Sequence, residues 1–193
     1  MNNSYYLLRH GESTANKQGI IACKPSTSCS GYGLTEKGVQ QATTTATWLK
    51  EHLTEPVLVY ASDYLRAKQT ARIVAEKLGV NVIEDTRLRE RDFGALDGES
   101  DTLYGSVWAY DASPKERTLG AESLEQLTKR VMGLIHEIEQ QYRGYSIVLA
   151  SHGDPLVALQ SYVLHNEVIP GGGHPFQNAE VRKLDEPSTL IAP

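Results

Sequence analysis

The sequence predicts an α/β fold of three layers, with a mostly parallel central sheet and helices on both faces. Two observations carry that prediction. Apolar runs of strand length alternate with stretches whose apolar residues recur every three or four positions. Three of the strand runs stop abruptly at polar residues: Arg9-His10, Ser62 with Arg66 close behind, and Ser151-His152. Open parallel sheets bind ligands beyond the carboxyl ends of their strands, so these three ends mark one expected site.

Tyr5-Tyr6-Leu7-Leu8 reads as a short buried strand. Residues 11–33 are rich in Gly, Ser, Lys and Pro and read as one long loop, a length that inside a domain is usually functional. Thr35 to Leu53 carries Val39, Ala42, Ala46, Leu49 and Leu53 on one helical stripe. Val57 to Ala61 is the next strand. Ser62 or Asp63 is placed to cap the helix that follows, whose stripe is Ala67, Ala71, Val74 and Leu78, and Gly79 stops it. Val80 to Ile83 is a further strand candidate.

From Phe93 to Gly120 the periodicity fades into Gly, Ser, Asp and aromatics, which predicts a small lid at about 93–120. Its Tyr104, Trp108 and Tyr110 suit either an apolar part of a substrate or packing of the lid on the core. Ser123 and Gln126 form a capping box ahead of a stripe of Leu124, Leu127, Val131, Leu134 and Ile138. Tyr145 to Ala150 is the best strand. Leu156 to Leu164 reads as a helix, Pro170 to Pro175 as a Gly-rich loop, and Glu180 to Leu184 as a last edge strand, with Asn178 at its start.

The chain has 193 residues, enough for one domain over 1–193 with a core large enough to hold a rigid site. Its net charge of −5 argues against a general nucleic-acid or anionic-membrane surface. An anionic substrate must therefore be drawn by a local cluster of Arg and His. Cys23 and Cys29 have no metal-ligand spacing and form no disulfide framework, which favours a reducing cytoplasm. No basic leader opens the chain, and no apolar stretch is long enough to span a bilayer.

The chemistry begins at Arg9-His10-Gly11. A neutral imidazole is a competent nucleophile toward phosphorus. A phosphate dianion repels nucleophiles until fixed positive charge and hydrogen-bond donors surround its oxygens, and the planar fork of Arg suits that task. Gly11 is read as allowing close backbone approach to the phosphate, and Asn16 as a neutral donor. Arg66 sits in the first turn of a helix, where the dipole also favours an anion. Glu90 lies between Arg89 and Arg91, and His152 follows the best strand with Gly153 behind it. Taken singly, each has a blander reading: a structural histidine, a solvated helix arginine, a surface ion-pair network. Their combination is what points to a phosphoryl site.

The motifs together resemble the histidine phosphatase superfamily, in its phosphoglycerate mutase-like branch. Leu8-Arg9-His10-Gly11-Glu12-Ser13 with Asn16, Gly33 to Gly38, Ser62 to Ala71, Leu88 to Gly94 with Gly98, Gly120 to Ser123, and Ser151-His152-Gly153 follow the family order over residues 5–165. The resemblance implies a phosphoglycerate mutase-like fold and a phosphohistidine formed on His10. It implies catalysis by His10, Glu90, Arg9, Arg66 and His152, with Glu90 as general acid. It implies phosphate binding by Arg9, Asn16, Arg66, His152 and Gly153, with no cofactor and no metal.

Alternatives can be weighed on the same residues. His10, Glu12, Glu90, His152 and Asp154 as metal ligands would place two arginines against a cation. Ser151-His152-Asp154 as a triad fails because adjacent residues leaving a strand point apart. The expected reaction is hydrolysis of a small phosphorylated metabolite. The competing readings are a mutase, and a relative that only binds phosphoryl ligands. A mutase needs extra cations, which the family resemblance places after the acid-bearing loop, where residues 92–120 offer only Lys115 and Arg117. The stretch between Asn16 and Leu34 departs from the family spacing, so no substrate contact is assigned to residues 17–33. Asp154 is read either as a substrate contact or as a helix cap. Oligomeric state and the roles of Lys24, Tyr32 and the two cysteines are not legible.

Overall fold

The computed structural model describes residues 1–54, 56–111, 120–168 and 175–186. Five strands form one sheet in the order β3-β2-β4-β1-β5. These are β1 (Ser4–Arg9), β2 (Val57–Ala61), β3 (Val82–Glu84), β4 (Ser146–Ser151) and β5 (Val181–Lys183). The first four run parallel, and β5 pairs antiparallel with β1 at the edge.

Strand β4 shows why the protein has three layers. Its side chains alternate faces, yet all six residues are buried. Ile147 and Leu149 join one core with Leu127, Val131, Leu134 and Ile138 of α6 (Leu124–Gln141) and Leu156 and Leu159 of α7 (Gly153–His165). Val148 and Ala150 join the other, with Ala46 and Leu49 of α3 (Glu36–His52) and Ala71, Val74 and Leu78 of α4 (Leu65–Leu78). Truncating any of these buried leucines to Ala would cost roughly 2–5 kcal/mol. The α/β architecture expected from the sequence is therefore the one observed.

Several local expectations differ. The stretch 11–33 is not a featureless loop: it holds two short helices, α1 (Thr14–Gln18) and α2 (Pro25–Ser28). Ser13 caps α1 through a reciprocal box with Asn16, and Pro25 presets the first turn of α2. Val39 belongs to the helix α3 but not to its buried stripe, being exposed, whereas Gly38 and Thr45 are buried. Neither Ser62 nor Asp63 caps α4 with its side chain. Tyr64 takes the cap position, Ser62 Oγ accepts from the Tyr64 N–H, and Asp63 is held by Arg89. Strand β3 begins at Val82 rather than Val80, because Val80 N–H closes the end of α4 on Ala75. Helix α7 starts three residues earlier than its apolar pattern, at Gly153. The capping box at Ser123 and Gln126, the stop at Gly79 and the edge strand near 181 are present as expected.

The segment from Phe93 folds as short 3₁₀ turns followed by α5 (Tyr104–Asp111). Residues 112–119, with Lys115 and Arg117, lie outside the described residues, as do the side chain of Tyr110 and most of the Gly-rich stretch 170–175. Among the described residues no helix is long and apolar enough to cross a membrane.

Candidate active site

Strand order and register assemble the site. Because β2, β4 and β1 are adjacent and parallel, their carboxyl ends share one edge of the sheet. Arg9 pairs with Ser151, and Ala61 with Ala150. The backbone ladder continues past the strands through His10 N–H to Ser151 O and Ser62 N–H to Ala150 O, both at 3.0 Å. His10, Ser62 and His152 are thereby fixed side by side by the sheet itself. The rings of His10 and His152 stand edge to face with centroids 5.1 Å apart.

His10 is buried, and its Nδ1 lies 2.8 Å from Gly11 O. A carbonyl oxygen accepts only, so Nδ1 carries the hydrogen and Nε2 holds the free lone pair. Arg66 Nε donates to that lone pair at 3.1 Å. Burial first, then the charges of Arg66 and Arg9, hold the His10 imidazole well below its ordinary pKa, so it is neutral near pH 7. A neutral ring with an outward Nε2 is the form a nucleophile requires.

Arg66 reaches the site from the first turn of α4, with Nη2 tied to Ala22 O at 2.9 Å. His152 is also held neutral by burial and by Arg66. Ser62 Oγ already accepts from Tyr64 N–H, so its own proton is free for His152 Nε2, 3.0 Å away. With Ser62 as the donor, the hydrogen of His152 sits on Nδ1. Three buried nitrogens here have no hydrogen-bond partner among the described residues: Arg9 Nε, Arg66 Nη1 and His152 Nδ1. Buried donors left unmatched are costly, about 1–3 kcal/mol each, so an acceptor-rich ligand is their natural complement.

Glu90 arrives from the turn after β3, held by Arg130 Nη2 on its carbonyl at 3.2 Å and by Ser151 Oγ on Leu88 O at 2.7 Å. Its carboxyl is raised to about 7, by burial first and by the charge of Asp154 second, against the pull of Arg66. Asp154 is likewise raised by burial. Ser151 points away from His152, which removes the triad geometry.

The structure brings together Arg9, His10, Glu90 and Arg66, since the charges of Arg9 and Glu90 act directly on Arg66, and adds His152. Asn16 and Gly153 line the neighbouring cavity. Asn16 is partly committed, its Oδ1 accepting from Ser13 N–H and Ser13 Oγ–H. Gly11 has a further reason, in the scaffold. A Cβ on Gly11 would overlap the Gly38 carbonyl oxygen, and one on Gly38 would overlap that of Glu12. These glycines let the loop after β1 lie against α3, and Glu12 turns outward to Thr35 and Lys37.

Four contributors play parts that the sequence did not assign. Tyr64, wholly buried, packs its ring against His152 and under Arg66, and its hydroxyl donates to Cys23 O. Asn178 is not a strand start; its Nδ2 donates to His10 O and Asn16 Oδ1 at 3.3 Å. Arg91, 1% exposed, grips both oxygens of Asp111 at 2.7 Å and reaches Asp154 at 3.4 Å. Trp108 Nε1 donates to Asp154 at 3.2 Å. Asp154 therefore answers to the segment expected as a lid. An aromatic beside the Ser62–Arg66 motif was a usable signal for Tyr64; the others depend on residues distant in sequence.

Comparison with known proteins agrees with this geometry. Residues 5–188 match the model of the histidine phosphatase superfamily (branch 1). A 2,3-bisphosphoglycerate-dependent phosphoglycerate mutase of Parvibaculum lavamentivorans is 31% identical over 82% of this chain and 79% of its own. A metal-independent phosphoserine phosphatase of Arabidopsis thaliana is 34% identical over 79% of this chain and 65% of its own. The solved mycobacterial glucosyl-3-phosphoglycerate phosphatase with VO3 superposes with a TM-score of 0.79 at 26% identity, over 93% of this chain and 90% of that one. The chain belongs to the histidine phosphatase superfamily.

Proposed function

We propose that this histidine phosphatase superfamily member hydrolyses a small phosphorylated metabolite through a phosphohistidine on His10. The observation that carries the reading is the set of buried nitrogens with no partner among the described residues, Arg9 Nε, Arg66 Nη1 and His152 Nδ1, in the site where Arg66 Nε meets the lone pair of His10 Nε2. Three equatorial phosphoryl oxygens would satisfy all of them.

In the first step His10 Nε2 attacks phosphorus and the bond from phosphorus to the alcohol oxygen breaks. Glu90, protonated, gives its proton to that oxygen as it leaves. In the second step the Glu90 carboxylate takes a proton from water, whose oxygen attacks phosphorus. The N–P bond breaks, its electron pair returns to Nε2, and phosphate departs with Glu90 protonated again. A carboxyl titrating at about 7 serves both steps, being neither wholly acid nor wholly base at neutral pH. The described residues from Phe93 to Asp111 act as a lid in this reading, with Trp108 and Asp111 meeting Asp154 and Arg91 across the mouth.

The test is phosphate release from a panel of phosphorylated metabolites, run beside a mutase assay with and without bisphosphoglycerate. Hydrolysis with little isomerisation supports the reading. Efficient isomerisation with negligible release of phosphate would overturn it.

A further inference from the structure

Outward from Arg9 the active site opens into a cavity of about 360 Å³, whose described walls have two characters. One is aromatic and apolar. Tyr104 and Trp108, one turn apart on α5, stack with rings 5.8 Å apart and 10° from parallel, and Val157 and the buried Phe176 line the same cavity. The other is acidic. Asp111 is neutralised by its two bonds to Arg91, but Asp154 shares that same arginine. Asp101 stands at the cavity wall with no hydrogen bond or ion pair on its carboxylate among the described residues, and its backbone is pinned by Asp101 N–H to Gly19 O at 2.9 Å. Arg9 is the one cationic side chain lining this cavity among the described residues, and the phosphoryl group claims it.

A substrate that fills the phosphate end must place the rest of its alcohol between these walls. A carboxylate there would meet Asp101, with no described cation left to pair it, and like charges repel. An ammonium or a ring would meet the Asp101 carboxylate and the partly exposed Trp108. We infer that the substrate is the phosphate ester of an uncharged or cationic alcohol bearing a ring, and that Asp101 is the residue that turns away acidic esters. The inference rests on the hydrolase reading for the phosphate end, and it goes beyond that reading in assigning a charge preference to the other end.

Three esters isolate the charge: phenyl phosphates carrying a 2-aminoethyl, an ethyl or a 2-carboxyethyl arm at the para position. Their leaving groups are alike because two carbons insulate the ring from the charge. Phosphate release by the intact protein is measured for each, and equilibrium binding of each to His10→Ala by calorimetry. The expected order in both is aminoethyl, then ethyl, then carboxyethyl, with about a tenfold span between the extremes, and Asp101→Asn should shrink that span. Binding of the carboxyethyl ester equal to or tighter than the aminoethyl ester overturns the substrate class. A span unchanged in Asp101→Asn overturns the role of Asp101. If the binding order holds but no ester releases phosphate, the hydrolase reading fails while the charge preference stands.

Discussion

At the floor of the cavity, Arg9, His10, Ser62, Arg66 and His152 all leave three adjacent parallel strands or the first turn of the helix behind one of them. At its mouth, Asp101, Tyr104, Trp108 and Asp111 come from a short helix and a 3₁₀ turn, tied inward by Arg91 and Asp154. The floor is cationic and held by the sheet ladder. The mouth is acid-rich and held by side chains to side chains. A sheet ladder fixes geometry tightly, which suits attack on phosphorus, where a small misplacement is costly. Side-chain latches are easier to rebuild, which suits the part that decides what else the substrate carries.

The sharpest way to break this contrast is at the floor. His10→Ala should lose phosphoenzyme formation and lower turnover by roughly 10⁴-fold or more, as loss of a covalent nucleophile does. Arg66→Ala should lower kcat by about 10²–10³-fold, since it removes a fixed donor to the developing charge. Between floor and mouth, Glu90→Gln should lower kcat/KM by about 10²–10⁴-fold for alkyl phosphates and far less for 4-nitrophenyl phosphate, whose phenolate leaves without a proton. Equal losses on both esters would remove Glu90 from the role of acid.

At the mouth the effects should be smaller and read in pH. Glu90 is raised by burial and by Asp154, and in the proposed first step its acid form expels the alcohol. Phosphoenzyme formation should therefore fall as pH rises through about 7. Asp154→Asn removes the raising charge, so the alkaline limb should move to lower pH; a limb that stays in place would uncouple the two carboxyls. Gly11→Ala, by contrast, should act on the scaffold. The added methyl meets the Gly38 carbonyl oxygen, and a loss of about 1–3 kcal/mol in stability is expected from denaturant unfolding.

The same contrast explains what the sequence disclosed. Strand runs and helical stripes gave the layers because β4 is buried on both faces and α4 and α6 each bury one. The floor was readable because its residues sit in short contiguous motifs at strand ends. The packing of Gly11 was not readable because its neighbour Gly38 is brought against it only by folding. Asn178 was unreadable for the same reason, lying 168 residues from the His10 carbonyl that it holds. Val39 kept helical spacing yet faces solvent, since periodicity gives a direction around the helix axis but not the width of the buried face.

The central claim is that His10 carries the phosphoryl group on its way to water. A single turnover in ¹⁸O-labelled water, stopped under alkaline conditions and analysed by peptide mass spectrometry, tests it most directly. The account predicts phosphate on the His10 peptide at early times, followed by inorganic phosphate containing one solvent oxygen. An unmodified His10 peptide throughout a complete turnover would contradict it.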